Sequence, residues 1–211
     1  MKKQDIVKVF EEFKKVNPNP KCELDYKNEY TFLIAIILSA QATDKGVNKA
    51  TPALFAKIDN PQDMLELGID GLKDYIKTIG LYNNKAKSII NMSADLIDKF
   101  EGKVPSNQKD LESLPGVGIK TAKVFLNSLY QTPVIAVDTH VSRVSQRLGL
   151  SKNTNPVKIG EDLERVVPEE YKAHAGHWLV LHGRYICKAK KPDCDACPIS
   201  DCCLFFKQVK K

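Results

Sequence analysis

The stretch Leu111-Glu112-Ser113-Leu114-Pro115-Gly116-Val117-Gly118-Ile119-Lys120-Thr121-Ala122-Lys123 sets a short helix, a glycine-containing hairpin and a second helix in close succession. Gly116 and Gly118 can take positive φ, or let another backbone approach closely where a side chain would stand in the way. The second helix is expected to begin near Ile119. Its first N–H groups lack intrahelical acceptors and carry the positive end of the helix dipole, a ready site for a phosphate oxygen. A bare Pro-Gly-x-Gly is better read as a plain helix–helix turn with a glycine cap. Lys120, Thr121 and the charge excess shift the reading toward a polyanion. Lys120 is electrostatically misplaced at a helix N-terminus, which disfavours its ammonium form, and partial burial would add to this.

That charge excess is modest but uneven. Thirty-two Lys/Arg against 26 Asp/Glu leave +6, and residues 181–211 hold seven Lys/Arg against three Asp. Such a balance suits a nucleic-acid partner, although a solvated lysine-rich surface gives the same count. At 211 residues with 43% hydrophobic and 27% charged side chains, the chain reads as globular and can bury a core without disulfides. The longest apolar run, Phe32 to Leu38, is far too short for a membrane span. Glu11, Glu12, Lys14 and Lys15 occupy the place where a secretory signal needs an apolar core, so a cytoplasmic location is expected.

Outward from the hairpin, the pattern is helical. Ile6, Val9, Phe10, Phe13 and Val16 recur at three- and four-residue steps, predicting an amphipathic helix over 5–16 that stops at Asn17-Pro18-Asn19-Pro20. Thr31 to Ala40 is apolar nearly all round, which suits a buried helix continuing through Gln41 toward Ala50. Turn residues punctuate 52–130 at Asp59-Asn60-Pro61, Gly68 to Gly71, Gly80, and Gly102 to Pro105. One strand-like stretch, Pro133 to Val137, is short and runs into Asp138-Thr139-His140, a helix N-cap followed by Val141, Val144 and Leu148. The fold class is therefore all-α, in two lobes.

Five of six cysteines lie between residues 187 and 203, a bunching that reads as metal ligation. Cys187, Cys194, Cys197 and Cys203 are spaced C-x6-C-x2-C-x5-C, and four thiolates there suit either Zn or a [4Fe-4S] cluster. Cys202 adjoins Cys203 and is a competing fourth ligand. Lys188, Lys190 and Lys191 lie between the first two ligands, on a loop suited to face phosphates. His140, His174, His177 and His182 have no second ligand set to support a metal reading, and Glu112 reads as a solvated helix residue.

Leu-Pro-Gly-Val-Gly-x-Lys-Thr-Ala at 114–122 resembles the helix-hairpin-helix of the endonuclease III family of DNA glycosylases. Residues 134–143, Leu38 to Asp44, Ile79 to Tyr82, His177 to Leu179 and the cysteine spacing are similar to that family as well, so the likeness runs over nearly the whole chain. It implies a six-helix lobe over 21–132, with the helix-hairpin-helix at about 108–128. The second lobe joins 1–20 to 133–211 and carries the cluster loop at 187–203, with a DNA-binding cleft between the lobes.

The resemblance further implies a bifunctional glycosylase and abasic-site lyase. It would act as a monomer on oxidised pyrimidines or abasic sites in double-stranded DNA. Lys120 matches the Schiff-base nucleophile, and Asp138 the carboxylate that helps deprotonate it and stabilises positive charge on the sugar, alongside its N-cap role. Gln41 matches the polar plug that faces the orphan base and Leu81 the apolar wedge. Gly116, Gly118, Lys190 and Lys191 match backbone contacts, and Cys187, Cys194, Cys197 and Cys203 the ligands of a structural [4Fe-4S] cluster. Ile119 departs from the family, where Arg is common before the lysine. A monofunctional relative, the adenine-specific mismatch enzyme, lacks the lysine and needs a carboxylate in the early buried helix, where this chain has Ile36-Ile37-Leu38. A non-catalytic helix-hairpin-helix module with a Zn site is the alternative from another class.

Overall fold

A computed structural model describes residues 1–209, and these form α-helices and one 3-10 turn without a strand. The all-α expectation holds, and Pro133 to Val137 is an extended connection. No helix among the described residues is long and apolar enough to cross a membrane. The chain divides into two compact units: Met1–Cys22 together with the chain from Tyr130 onward, and Glu23–Leu129.

The central unit is built on α2 (Glu29–Ser39), in which every residue from Tyr30 to Leu38 is buried. A capping box starts it, with Asn28 accepting from the Thr31 N–H and the Thr31 hydroxyl accepting from the Asn28 N–H. Around it lie α3 (Asp44–Ala50), α4 (Pro52–Lys57), α5 (Pro61–Ile76), α6 (Tyr82–Phe100), α7 (Gln108–Glu112) and α8 (Ile119–Tyr130). Gly68, at φ 71°, breaks α5 into two arms. The buried helix does not continue through Gln41, contrary to the sequence pattern. Gln41 takes φ 56°, and the Thr43 hydroxyl caps a new helix by accepting from the Gly46 N–H at 3.1 Å.

The other unit joins α1 (Lys3–Val16) to α9 (Thr139–Leu148), α10 (Pro156–Val166), α11 (Glu169–Tyr185), a 3-10 turn (Ser200–Cys202) and α12 (Leu204–Val209). The apolar stripe of α1 docks on α11: Phe10 stacks on Tyr171 at 5.9 Å between ring centroids, and Phe13 on Trp178 at 6.4 Å. Full burial of Phe10 contributes about 2 kcal/mol. The Trp178 indole N–H donates to the Asn17 carbonyl at 2.7 Å, which ties down the end of α1.

Candidate catalytic and nucleic-acid-binding residues

The hairpin is anchored by apolar residues on both flanks. Leu111, Leu114, Val117, Ala122 and Phe125 are all buried, and Asn107 caps α7 through the Asp110 N–H. Gly116 sits at φ 82°, and a Cβ there would lie 2.8 Å from Cβ of Ser88 on α6. Both the backbone and the packing require glycine. Gly118 differs: its φ is not positive and a Cβ would meet nothing within 4 Å. The protein's own packing leaves the space in front of Gly118 open, as close approach of another backbone requires. Gly116→Ala is therefore expected to lower stability by about 2 kcal/mol and Gly118→Ala by less than about 0.5 kcal/mol, read from denaturant melts.

The first bond inside α8 runs from the Ala122 N–H to the Gly118 carbonyl at 3.0 Å. Helix geometry thus leaves the N–H groups of Gly118 to Thr121 without intrahelical acceptors. Lys120 stands among them, exposed and with no ion-pair partner among the described residues. The partial burial that would add to the action of the helix end is not found at Lys120. Ile119, beside it, is 51% exposed, so a bare apolar side chain adjoins the amine. Glu112 is half-buried and accepts from the Gln108 amide at 2.6 Å.

Asp138 caps α9, its Oδ1 accepting from the Val141 N–H at 2.8 Å. No partner of its other oxygen is found among the described residues. Gln41 and Leu81 share an unusual geometry. Both are non-glycine residues in the left-handed region, at φ 56° and 59°, both are exposed, and Leu81 exposes 57% of its surface. Left-handed backbone at non-glycine residues is uncommon and tends to gather at functional sites.

Four of the clustered cysteines line one pocket of about 330 Å³, measured out to its open mouth: Cys187, Cys194, Cys197 and Cys203, with Leu148, Ile186, Pro192, Phe205 and Phe206. Among the described residues, no three His, Cys, Asp or Glu side chains form a ready single-ion site. The four thiols nonetheless share one field. Burial pushes the Cys197 thiol up to about 11, and the charges of Cys203, Cys187 and Cys194 push the same way. Cys194 is raised by burial, then by Cys187 and Cys203. Cys202 is raised by burial too, but its charged neighbours are Lys8, Asp5, Lys207 and Asp201. It faces α1 rather than the pocket. Four thiolates confined together need a cationic centre to relieve their repulsion, so the donor set fits a metal cluster.

Two arginines that sequence reasoning overlooked brace this loop from α9. Arg147 donates to the Cys187 sulfur at 3.4 Å and to the carbonyls of Lys188 and Ala189 at 2.8 and 3.1 Å, with its guanidinium 4.7 Å over the Phe205 ring. Arg143 donates to the carbonyls of Cys187 and Gly183 at 3.0 and 2.7 Å. Their spacing of four residues on one helix face was visible, but nothing local says what that face meets. Lys188, Lys190 and Lys191 are exposed on the braced loop, with Lys191 at φ 52°. His182 is buried, its Nε2 3.6 Å from the Cys197 sulfur, and His174 packs edge-on to Trp178. Burial lowers both His177 and His182 to about 4.

Residues 34–169 match the family model of the HhH-GPD superfamily base excision DNA repair protein. The chain is 54% identical over 210 residues to endonuclease III of Rickettsia conorii, with 100% of both chains covered. It is similar to the solved structure of a trapped covalent endonuclease III–DNA intermediate, an estranged-adenine complex, with a TM-score of 0.93 at 40% identity over 100% of both chains. A non-covalent endonuclease III–DNA complex gives a TM-score of 0.92 at 41% identity, again over 100% of both chains. The chain belongs to the endonuclease III family, within the HhH-GPD superfamily of base excision DNA repair proteins.

Proposed function

We propose that this chain is a bifunctional DNA glycosylase and abasic-site lyase that acts as a monomer, at the nucleoid, on oxidised pyrimidines in duplex DNA. The observation that carries the reading is Lys120: an exposed amine at the hairpin–helix junction, among N–H groups able to hold a phosphate, in a chain of the endonuclease III family. Phosphate oxygens of the lesion strand dock on the N–H groups of Gly118 to Thr121. This brings the deoxyribose of a flipped nucleotide to the Lys120 amine. The amine attacks C1′, the glycosidic bond breaks, and the base leaves with the electron pair and takes up a proton. Opening of the C1′–O4′ bond then gives a C1′=Nζ Schiff base. Loss of a C2′ proton expels the 3′ phosphate, and water releases the lysine.

Asp138 serves as the carboxylate that accepts the lysine's proton and offsets the positive charge developing on the sugar. Gln41 fills the space beside the orphan base, and Leu81 wedges between base steps. Cys187, Cys194, Cys197 and Cys203 hold a [4Fe-4S] cluster, which when bound supplies a cross-link that stiffens the loop presenting Lys190 and Lys191 to phosphates. Gly118→Ala, which spares folding, is expected to weaken binding of abasic duplex about tenfold by obstructing that approach.

Asp138→Asn separates chemistry from capping, because Asn and Asp cap helices about equally well. We expect it to slow single-turnover base release by about a hundredfold, with stability changed by less than about 0.5 kcal/mol. Asp138→Ala should lose about 1 kcal/mol in addition. A rate loss matched by a stability loss in the Asn variant would reduce Asp138 to a cap.

The test of the whole reading is incubation of the purified protein with duplexes carrying an oxidised pyrimidine, an oxidised purine or an abasic site, with and without borohydride. Base release and nicking from the pyrimidine duplex, with a trapped covalent adduct, are expected. A protein that binds all three duplexes but releases no base, nicks nothing and traps nothing is the non-catalytic module instead.

A further inference from the structure

The C-terminus of α2 has a complete hydrogen-bond account. The Ile36 carbonyl accepts from the Ser39 hydroxyl at 2.8 Å, Ile37 from the Ala40 N–H at 3.3 Å and Ser39 from the Ala42 N–H at 3.0 Å. The carbonyl of Leu38 is served from another helix: Nζ of Lys85, on α6, donates to it at 2.8 Å. Lys85 is only 6% exposed, and no carboxylate pairs with it among the described residues. Burial alone lowers its pKa. α2 has no basic residue in its last turn, so the cation that normally offsets the negative end of a helix comes here from α6. An unpaired buried ammonium is costly, and a leucine at this position would pack without that cost. The cost is intelligible if the bond itself is what the molecule needs.

The position of the bond says what that need is. Three residues beyond Leu38 stands Gln41 at φ 56°. Four residues before Lys85 stands Leu81 at φ 59°, and the Lys85 N–H donates to the Leu81 carbonyl at 3.1 Å. A single residue therefore holds one turn through its backbone and the other through its side chain. The two turns are already close, since a Cβ on Gly80 would lie 3.9 Å from the Gln41 carbonyl oxygen.

We propose that Lys85 is a positioning residue that locks the Gln41 turn and the Leu81 turn into one rigid device for opening the duplex. The inference rests on the reading that these two side chains enter DNA. With the lock intact, both turns meet the helix pre-formed, and the work of unstacking is not spent on ordering them.

The experiment compares two substrates: a duplex with a stacked oxidised pyrimidine, and a duplex with an abasic site in a one-nucleotide bulge, where the sugar is already extrahelical. In Lys85→Met, single-turnover base release from the stacked lesion should fall about tenfold or more, while nicking of the bulged abasic site stays within about threefold of the parent protein. Lys85→Arg, which keeps a charged donor, should recover most of the loss. Should Lys85→Met fail to fold, Lys85→Gln, which keeps one shorter donor, is read by the same ratio. Equal losses on both substrates, or no loss on either, overturn the proposal. Failure of the parent protein to nick either substrate would instead overturn the glycosylase reading.

Discussion

Lys120→Ala is expected to abolish the borohydride-trapped adduct on abasic duplex and to slow nicking of the same duplex by about a thousandfold or more. The argument separates what the side chain does from what its position does. Lys120 is exposed and makes no ion pair among the described residues. Alanine is also the better helix former in α8, so stability should change by less than about 0.5 kcal/mol. The hairpin N–H groups and Gly118 are untouched, and DNA affinity should fall less than about tenfold, the loss of one cation near a phosphate. A collapse of covalent chemistry with folding and binding kept is the signature of a missing nucleophile. A trapped adduct persisting in Lys120→Ala would move the Schiff base to another amine, of which Lys123, one turn further along α8, is the first to examine.

The hairpin and the cap at Asp138 were legible because their causes are local. Two glycines, a proline and a periodic apolar run decide the turn at 113–118, and Asp138 is bonded to a residue three places ahead of it. The break at Gln41 was not legible. No glycine or proline marks it, and the sequence pattern of α2 could have run on toward Ala50. The helix stops where the Leu38 carbonyl turns to an ammonium 47 residues away, while Thr43 offers a new cap. A lysine near the start of a helical segment reads as surface, and only tertiary packing shows Lys85 to be buried. The same holds for Arg143 and Arg147, whose partners on the cysteine loop lie about 40 residues on in the chain. The strain at Leu81 was equally hidden, since φ at a non-glycine residue has no signature in residue type.

Cys202 and Cys203 are adjacent in the chain but face different surroundings, and this yields the second large effect. Cys203 lines the pocket with Cys187, Cys194 and Cys197, while the charges nearest Cys202 belong to Asp5 and Lys8 on α1 and to its own segment. Cys202→Ser should leave the purified protein yellow-brown, with unchanged visible absorbance and iron content and a stability loss of about 1 kcal/mol from a buried thiol made polar. Cys194→Ser or Cys203→Ser should give a colourless protein, because a three-thiolate set no longer satisfies the cluster. Their stability loss should be several kcal/mol, since ligand binding and folding of so small an appendix are one event. Unfolding should begin at residues 186–203, where the backbone hydrogen bonds are mainly those of short local turns, such as Lys188 to Ile186, Cys197 to Cys194 and Ser200 to Cys197, and Arg143 and Arg147 grip the loop from α9, while the α1–α11 core holds. With the loop loosened, Lys190 and Lys191 lose their fixed presentation, and the salt dependence of DNA binding should become shallower by up to about two counterions. Colour retained in Cys203→Ser and lost in Cys202→Ser would exchange the roles of the two residues. A colourless parent protein carrying zinc would replace the cluster by a mononuclear site.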